Sequence, residues 1–449
     1  MTQQGVRWSA DQVLALAPDA ASRAAGSRLG TAGPWSGAGS SGEGAVWGLC
    51  GGSGSTPYRT VVDLADASGP AFTCSCPSRK FPCKHALGLL LLWSAGEGAV
   101  PRAEPPEWAR RWLEGRRNRA AQQRTADSAG AAPADPEAAR RRAQRRAERI
   151  TAGATELEQR LADLLRSGLA TAEQAGYGLW EETAARMVDA QAPGLAARVR
   201  ELGAIPGSGT GWPVRLLEEC ALLHLLDQGW LGRERLPEGL AATVRSRVGL
   251  PSAPDGPPVR DKWLVLAQYD TSDGKLTTRR TWLHGAATDR VALLLSYGAA
   301  GRAPELALPV GLALDAEVSA YPGDGRHRVA LGERFAPPAP TAVRPKGVTT
   351  AQATARYGEA LRDDPWLESV PVTLESVIPT PAGKSWQLAD ADGEGALPLT
   401  PAAAARPGLW RLVALSGGAP VTVFGECGHR GFTPLTAWPR SDGEVVSLH

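Results

Sequence analysis

Residues 72–90 of this 449-residue chain read FTCSCPSRKFPCKHALGLL and contain three cysteines and one histidine in close spacing. Cys74 and Cys76 are separated by one residue. After a gap of six residues, Cys83 and His85 show the same separation. Three thiolates and one imidazole are the sulfur and nitrogen donors that Zn²⁺ prefers in a tetrahedral site. Because four protein ligands fill that shell, we predict one structural zinc ion and no catalytic metal-bound water.

The residues around these ligands have the pattern of strands followed by a helix. Three short strands, separated by turn-forming stretches rich in Gly, Ser and Asp, are predicted over residues 45–50, 58–64 and 71–76. Pro77 ends the third strand, and Lys84 begins a run of good helix formers. The first two ligands should therefore lie on a knuckle after a strand, and the other two at the start of a helix.

The pattern Cys-x-Cys-x6-Cys-x-His resembles the SWIM zinc finger, whose signature is two closely spaced cysteines followed by a Cys-x-His pair. The resemblance covers residues 1 to about 95 and implies a small module folded around zinc. Proteins with this finger are regarded as DNA-binding or protein-interacting. Bacterial members with a similar layout resemble accessory proteins associated with MoxR-type AAA+ ATPases and with von Willebrand A-domain proteins.

Basic side chains in two segments are candidates for contact with nucleic acid or with an acidic partner. The segment from Arg102 to Arg149 holds thirteen arginines and seven acidic residues. Four arginines recur at helical spacing, and three further cations lie in or beside the zinc loop: Arg142, Arg145, Arg146 and Arg149, and Arg79, Lys80 and Lys84. The same pattern is typical of a solvated helix end and of cations that offset the charge of a thiolate-rich zinc site, so both interpretations stay open.

The hydrophobic pattern divides the chain into four regions and predicts an α+β multidomain fold. These are a zinc-finger module over 1–100, a helix and flexible linker over 101–135, a helical region with an arginine-rich start over 136–250, and a β-rich C-terminal domain over 259–449. Ser9 and Asp19 should be the N-caps of two short helices ahead of the finger. We expect loss of the zinc site to unfold the first 95 residues and to spare the β-rich half.

Composition and the absence of targeting signals define the expected location. Apolar residues make up 43% of the chain and charged residues 21%, which is typical of an ordinary globular protein. The first twenty residues lack the apolar segment of a secretory signal, and the longest apolar run is much shorter than the ~20 residues of a membrane span. Six cysteines in a chain of this length do not indicate a disulfide framework. We therefore expect a soluble cytoplasmic protein without membrane association.

Other combinations of reactive residues are less informative. Cys220 and His224 would share a helix face, but they lie in a leucine-rich stretch that favours packing. Cys427 and His429 have no Cys-x-Cys near them in the sequence. The GlyLysSer at 383–385 is not a phosphate-binding loop, because Ile378 stands where that motif requires Gly. We predict no catalytic and no cofactor-binding residues beyond the zinc ligands.

The favoured function is therefore a non-enzymatic interaction or adaptor module with a protein partner, for which the resemblance implies a MoxR-type AAA+ ATPase or a von Willebrand A-domain protein. One alternative is a nucleic-acid-binding protein that uses the finger and the arginine-rich helix. Another is an enzyme with a site in the C-terminal β-rich region, where the titratable candidates are His284, His327, Asp270 and Asp273. An accessible Cys220 or Cys427 with a lowered thiol pKa would favour the enzyme.

Overall fold

A computed structural model describes residues 7–41, 44–52, 54–65, 70–78, 80, 82–128, 136–272, 276–299, 306–323, 327–440 and 445–449. The helices are α1 (Ala10–Leu14), α2 (Ala20–Arg28), α3 (Lys84–Ser94), α4 (Glu107–Ser128), α5 (Pro136–Ser167), α6 (Ala170–Asp189), α7 (Pro193–Ala204), α8 (Trp212–Leu231), α9 (Glu238–Arg247), α10 (Thr350–Asp363), α11 (Pro401–Ala404) and α12 (Gly408–Ser416). The strands are β1 (Trp35–Ser40), β2 (Ala45–Cys50), β3 (Tyr58–Asp63), β4 (Ala71–Cys74), β5 (Val259–Ser272), β6 (Leu276–Gly285), β7 (Val291–Ala299), β8 (Leu312–Ala320), β9 (Arg328–Arg334), β10 (Ala339–Pro340), β11 (Ser369–Ala382), β12 (Ser385–Asp390), β13 (Ala396–Pro398), β14 (Val421–Gly428), β15 (Gly431–Trp438) and β16 (Val446–Ser447). The predicted α+β multidomain fold is confirmed.

The zinc module is an antiparallel sheet in the order β1-β2-β3-β4 with α3 on one face. The three predicted strands are present. The fourth strand, β1, was not predicted because its sequence, WSGAGS, is rich in Gly and Ser and has no alternating apolar pattern. Both predicted N-caps are confirmed: Ser9 forms a capping box with Gln12, and the Asp19 carboxylate accepts from the Ser22 backbone N–H.

Helix α4 covers the other face of the zinc-module sheet. Ala109 and Leu113 of this helix are buried in one cluster with Trp47 and Val61 of the sheet. The Arg116 guanidinium lies 3.4 Å from the carboxylate of Asp63 at the end of β3. Because α4 buries an apolar face on the zinc-module sheet, it is structurally part of the module. The helix lies in the range predicted as helix and linker. Residues 129–135 of that range lie outside the described part of the chain.

Helices α5 to α8 form a helical bundle with α9 packed against α8. Its core is made of aliphatic side chains together with buried Trp180 and Trp230. The indole N–H of Trp230 donates to the Thr151 hydroxyl at 3.1 Å, so α8 is joined to α5 by a polar contact inside the apolar interior. This bundle occupies the range predicted to be helical.

The range predicted as one β-rich region contains two separate sheets. In the first, β5, β6, β7, β9 and β8 are neighbours in that order, and β8 pairs again with β5, so the five strands close into a barrel. The pairing of β7 with β9 is parallel, and the other pairings around the barrel are antiparallel. This is the Greek-key connectivity of a five-stranded OB-like barrel.

The second sheet has the order β13-β12-β11-β14-β15-β16 and carries α10 and α12 against it. It packs on the outer surface of the barrel, where Leu266 and Trp282 share an apolar cluster with Phe424 and Leu435. The Thr436 hydroxyl donates to the Leu266 carbonyl at 2.5 Å. The barrel surface formed by β5, β6 and β7 is therefore covered by the C-terminal sheet.

A turn after α10 joins the C-terminal sheet to the helical bundle. Asp364, which is fully buried, accepts three charge-assisted hydrogen bonds from two nitrogens of Arg247 of α9. Trp366 packs into the bundle core, and its indole N–H donates to the Leu222 carbonyl at 2.8 Å. Within the described residues, no helix has both the length and the apolar character that a membrane span requires.

Candidate metal centre

Strand β4 and helix α3 position the four predicted zinc ligands. Cys74 is the last residue of β4, and Cys76 follows after one residue. Cys83 is the N-cap of α3 with extended backbone angles, and its side chain makes no capping hydrogen bond. His85 lies in the first turn of that helix. The thiol of the N-cap and the first-turn imidazole are thus directed to the same side, towards the end of β4.

The ligand atoms have the spacing of a tetrahedral zinc site. The four atoms all lie within 4.8 Å of one another. The distance from Cys74 Sγ to His85 Nδ1 is 3.6 Å, which is close to the ~3.5 Å separation expected from Zn–S of ~2.3 Å and Zn–N of ~2.0 Å at a tetrahedral angle. Cys83 is 1% and His85 5% exposed. The donor set fits Zn²⁺, and it would use Nδ1 of the imidazole.

Comparison with protein families gives the same assignment. The model of the SWIM zinc finger matches residues 58–93, from the start of β3 to the last turn of α3. The chain carries a SWIM zinc finger. A second model, of the SWIM-associated four-helix bundle domain, matches residues 145–248, which covers most of α5 and the helices through α9. No curated protein and no solved structure matches the chain. The Cys3His cluster within a SWIM finger supports one structural zinc ion.

Two residues of β3 complete the surroundings of the SWIM site, and sequence analysis did not single them out. The Thr60 hydroxyl lies 3.3 Å from Cys74 Sγ, and the Tyr58 ring lies 4.7 Å from the His85 ring. Thr60 is paired directly with Cys74 across the β3–β4 ladder. Aligning the two predicted strands in register would have placed this hydroxyl beside the ligand.

Hydrogen bonds within the SWIM site favour the thiolate form of Cys74. The pKa of Cys74 lies well below its usual range, because the Cys83 thiol donates to its sulfur and His85 and Thr60 add further hydrogen bonds. The pKa of Cys83 is raised, because its thiol hydrogen-bonds to the Cys74 sulfur and is buried. Burial raises the pKa of Cys76. Zinc binding would therefore release protons from the remaining thiols, since the metal requires thiolate ligands.

The cations of the finger loop differ in their surroundings. Lys80 Nζ lies 2.6 Å from the Asp19 carboxylate, the same group that caps α2. This contact and the backbone of Ser22 lower the pKa of Asp19 to about 2. Lys84 is exposed at the first residue of α3, and Arg79 lies outside the described residues. Lys80 thus connects the zinc loop to α2, whereas the Lys84 side chain is exposed to solvent.

The four arginines of α5 do not share one environment. The guanidinium of Arg146 donates to the backbone carbonyls of Gln191 and Gly249, so this side chain joins α5 to two loops of the bundle. Arg142, Arg145 and Arg149 are exposed. Three of the four arginines are therefore exposed, and the fourth joins elements of the bundle.

The remaining cysteine and histidine pairs do not form a second centre. Burial raises the pKa of the Cys220 thiol to about 11, and His224 points away to the Glu158 carboxylate at 2.7 Å. Burial also raises the pKa of Cys427, while His429 contacts the Tyr357 hydroxyl. Within the described part of the chain, the SWIM ligands are the one group of three or more His, Cys, Asp or Glu side chains that could hold a metal.

The described candidate residues of an enzymatic site each contact another group in the structure. His284 Nε2 lies 2.8 Å from the Asp289 carboxylate. His327 Nδ1 contacts the Val291 carbonyl, and burial lowers the pKa of this histidine. Asp270 accepts two hydrogen bonds from Arg279. Asp273 lies outside the described residues.

Proposed function

We propose that this chain is a non-enzymatic interaction protein whose SWIM finger is folded by zinc and, together with the helical bundle, engages a protein partner. The Cys3His set, in which Cys83 and His85 are buried, carries this proposal. Four protein ligands complete the coordination of zinc, so the metal has no position for a substrate or a nucleophilic water. The metal then contributes to folding and to the shape of a surface.

The state of the other cysteines supports a non-enzymatic function. A nucleophilic cysteine is accessible and has a lowered thiol pKa. Cys220 and Cys427 are each 2% exposed, and burial raises the pKa of both thiols. Neither meets the requirement that would favour an enzyme.

Exposed apolar side chains on the helical bundle support a protein partner. The bundle carries six of the large apolar side chains that are exposed to solvent, and they are Leu165, Leu179, Val188, Val214, Leu217 and Leu225. Helices α5, α6 and α7 also enclose an apolar cleft of about 320 Å³ that Leu179 lines. Val214, Leu217 and Leu225 recur at helical spacing on one side of α8, and apolar side chains grouped in this way are typical of protein contact sites. A MoxR-type AAA+ ATPase and a von Willebrand A-domain protein are the partners to test first.

The partner test uses the zinc-loaded full chain and these two purified proteins in an equilibrium binding assay. We expect Leu217→Ser combined with Leu225→Ser to weaken binding at least 10-fold, which corresponds to about 1.4 kcal/mol. Val343→Ser is the matched control, since it removes an exposed apolar side chain that lies outside the bundle, and it should bind as the unchanged protein does. Absence of binding by the zinc-loaded protein to either candidate would reject these partners.

A nucleic-acid partner is the second candidate, because the exposed arginines of α5 form a basic row. Arg142, Arg145 and Arg149 lie on a helix whose first turns extend beyond the buried core that begins at Ile150. The barrel gives less support to this function. Its β5, β6 and β7 surface, which includes the strands used for oligonucleotide binding in OB-folds, is covered by the C-terminal sheet.

The nucleic-acid candidate is tested by binding to random-sequence single- and double-stranded DNA over a salt series. Replacement of Arg142, Arg145 and Arg149 by Gln should lower the salt slope by about 3 if each arginine contacts a phosphate. The control replaces Arg166, Arg186 and Arg200 by Gln, which removes the same charge from elsewhere on the bundle. An equal effect of both sets would indicate a nonspecific response to net charge and would contradict a specific arginine row.

A further inference from the structure

The SWIM module and the barrel share one continuous apolar core. The cluster that contains Leu87, Leu89 and Leu90 of α3 also contains Trp263 and Leu314 from the barrel. These five side chains are each at most 1% exposed. The two units are therefore not independent folding domains joined by surface contact.

Helix α1 lies at the junction between the two units. Val13 of this helix belongs to the same cluster, together with Trp8 just ahead of the helix and Leu16 just after it. The side chain of Gln12 caps α1 through its oxygen and donates through its nitrogen to the Val310 carbonyl at 3.3 Å. One residue thus fixes the start of α1 to the connection that leads into β8.

The connection into β8 lacks a covering helix of its own in its described part, residues 306–311. Leu308 and Leu312 are fully buried in the shared cluster. The Gly311 N–H donates to the Val265 carbonyl on β5. A barrel end lined by apolar side chains must be shielded from water. At this end the shielding comes from α1 and α3, which belong to the SWIM module.

Zinc is connected to this junction through α3. Two ligands, Cys83 and His85, lie at the N-cap and in the first turn of α3. The following turns carry the leucines of the shared core, and α1 packs directly on α3. If the zinc site opens, the first turn of α3 loses its anchor, and both helices that shield the barrel are loosened.

We infer that zinc binding in the SWIM finger controls the stability of the OB-like barrel, because α1 and α3 close one end of the barrel. Zinc then stabilises the barrel of the β-rich half in addition to folding the finger. This inference is independent of the partner proposed above, because it concerns coupling within one chain.

Hydrogen exchange of the full-length protein tests the coupling. Zinc removal by a strong chelator should increase amide exchange at least 10-fold in β5 and β8, while α7 in the bundle core keeps its protection. Unchanged protection of β5 and β8, with α3 exchanging freely, would overturn the inference.

A variant at the junction separates this coupling from general unfolding. Gln12→Ala combined with Val13→Ala should keep one zinc per chain and still increase exchange in β5 and β8. Asp11→Ala, on the exposed side of α1, is the matched control and should match the unchanged protein. If chelation also increases amide exchange in α7, the zinc-loaded junction variant gives the decisive result. Full protection of β5 and β8 in that variant would disprove a shielding role for α1.

Discussion

Cys83 is both the N-cap residue of α3 and a member of the zinc ligand cluster. As the N-cap of α3 it has the extended backbone that begins a helix, but its side chain makes no capping hydrogen bond. The thiol is instead directed into the zinc ligand cluster. A serine at this position could cap the helix, because Ser is a favoured N-cap residue, but its hydroxyl is not a zinc ligand of the S/N type.

Cys83→Ser should therefore abolish zinc binding despite its small change in shape. Zinc contributes about 10 kcal/mol or more to folding in comparable fingers, so the module should lose its cooperative transition. Metal content measured per chain checks the result. Cys220→Ser, at a buried cysteine outside the finger, should keep one zinc. Because the finger and the barrel share an apolar core, we expect the barrel to be destabilised in this variant too. This differs from the expectation from sequence alone that the β-rich half would be spared.

A second prediction at this scale concerns Asp227 in α8. The residue is fully buried, its carboxyl group lies close to the Glu158 carboxylate, and within the described part of the chain no protein donor is directed at either of its oxygens. Burial, together with the charge of nearby Glu158, raises the pKa of Asp227 to about 9. The folded protein therefore holds a proton that the unfolded chain releases near pH 4, and folding stability falls as pH rises from about 4 to about 9.

Asp227→Asn should remove this pH-dependent penalty, because an amide stays neutral and can donate to Glu158. We expect the variant to be more stable by about 1–3 kcal/mol at pH 8 and by little at pH 4. Denaturant unfolding at both pH values measures the difference. An equal stability change at the two values would show that Asp227 does not retain its proton in the folded state.

At the scale of elements, the contact of α2 with α3 depends on small residues at the crossing. A Cβ added to Gly88 would lie 2.5 Å from Leu29 Cβ and 3.1 Å from the Leu29 backbone. A Cβ on Gly115 in α4 would meet nothing within 4 Å. The two glycines are both helical, so the difference between them isolates the effect of packing from that of helix propensity.

Gly88→Ala should destabilise the zinc module, and Gly115→Ala should stabilise it slightly. The first change forces the two helices apart at a cost of about 1–3 kcal/mol. The second gains up to about 1 kcal/mol, because alanine is the better helix former. Thermal unfolding of the zinc-loaded proteins checks both signs, and equal shifts would contradict a steric requirement at Gly88.

At the scale of the whole molecule, the bundle and the C-terminal sheet depend on a short turn. Arg247 donates three charge-assisted hydrogen bonds, of 2.9, 3.2 and 2.5 Å, to the fully buried carboxylate of Asp364. Trp366 is buried beside them in the bundle core. The Trp366 side chain, from the segment that leads into the C-terminal sheet, thus fills space in the core of the bundle. It joins two units whose residues are far apart in the sequence.

Trp366→Ala should separate the unfolding of the bundle from that of the C-terminal sheet. Truncation of a buried tryptophan costs about 3–5 kcal/mol, and here most of the loss falls on the contact between the units. Calorimetry should show the bundle and the C-terminal sheet of the variant unfolding in two separate transitions. In the unchanged protein the two units should unfold closer together. Trp410→Ala is the control, because Trp410 is 63% exposed and should leave the unfolding profile unchanged.

The sequence alone determined the features that depend on local spacing. The ligand set of Cys74, Cys76, Cys83 and His85 lies within twelve residues, so the strand, knuckle and helix that hold it follow from turn formers, Pro77 and the leucine run. The N-caps Ser9 and Asp19 were also predictable, because a cap is a contact between residues three apart.

Tertiary structure alone decided the features that join distant segments. Barrel closure requires β5 to pair with β8 and β7 with β9, and the alternating pattern of a strand does not specify its partner. The ion pair of Lys80 with Asp19 and the structural use of Arg146 depend on where helices cross. The shared core of finger and barrel arises because both units leave apolar side chains at their contact, and only packing in three dimensions shows which surface covers them.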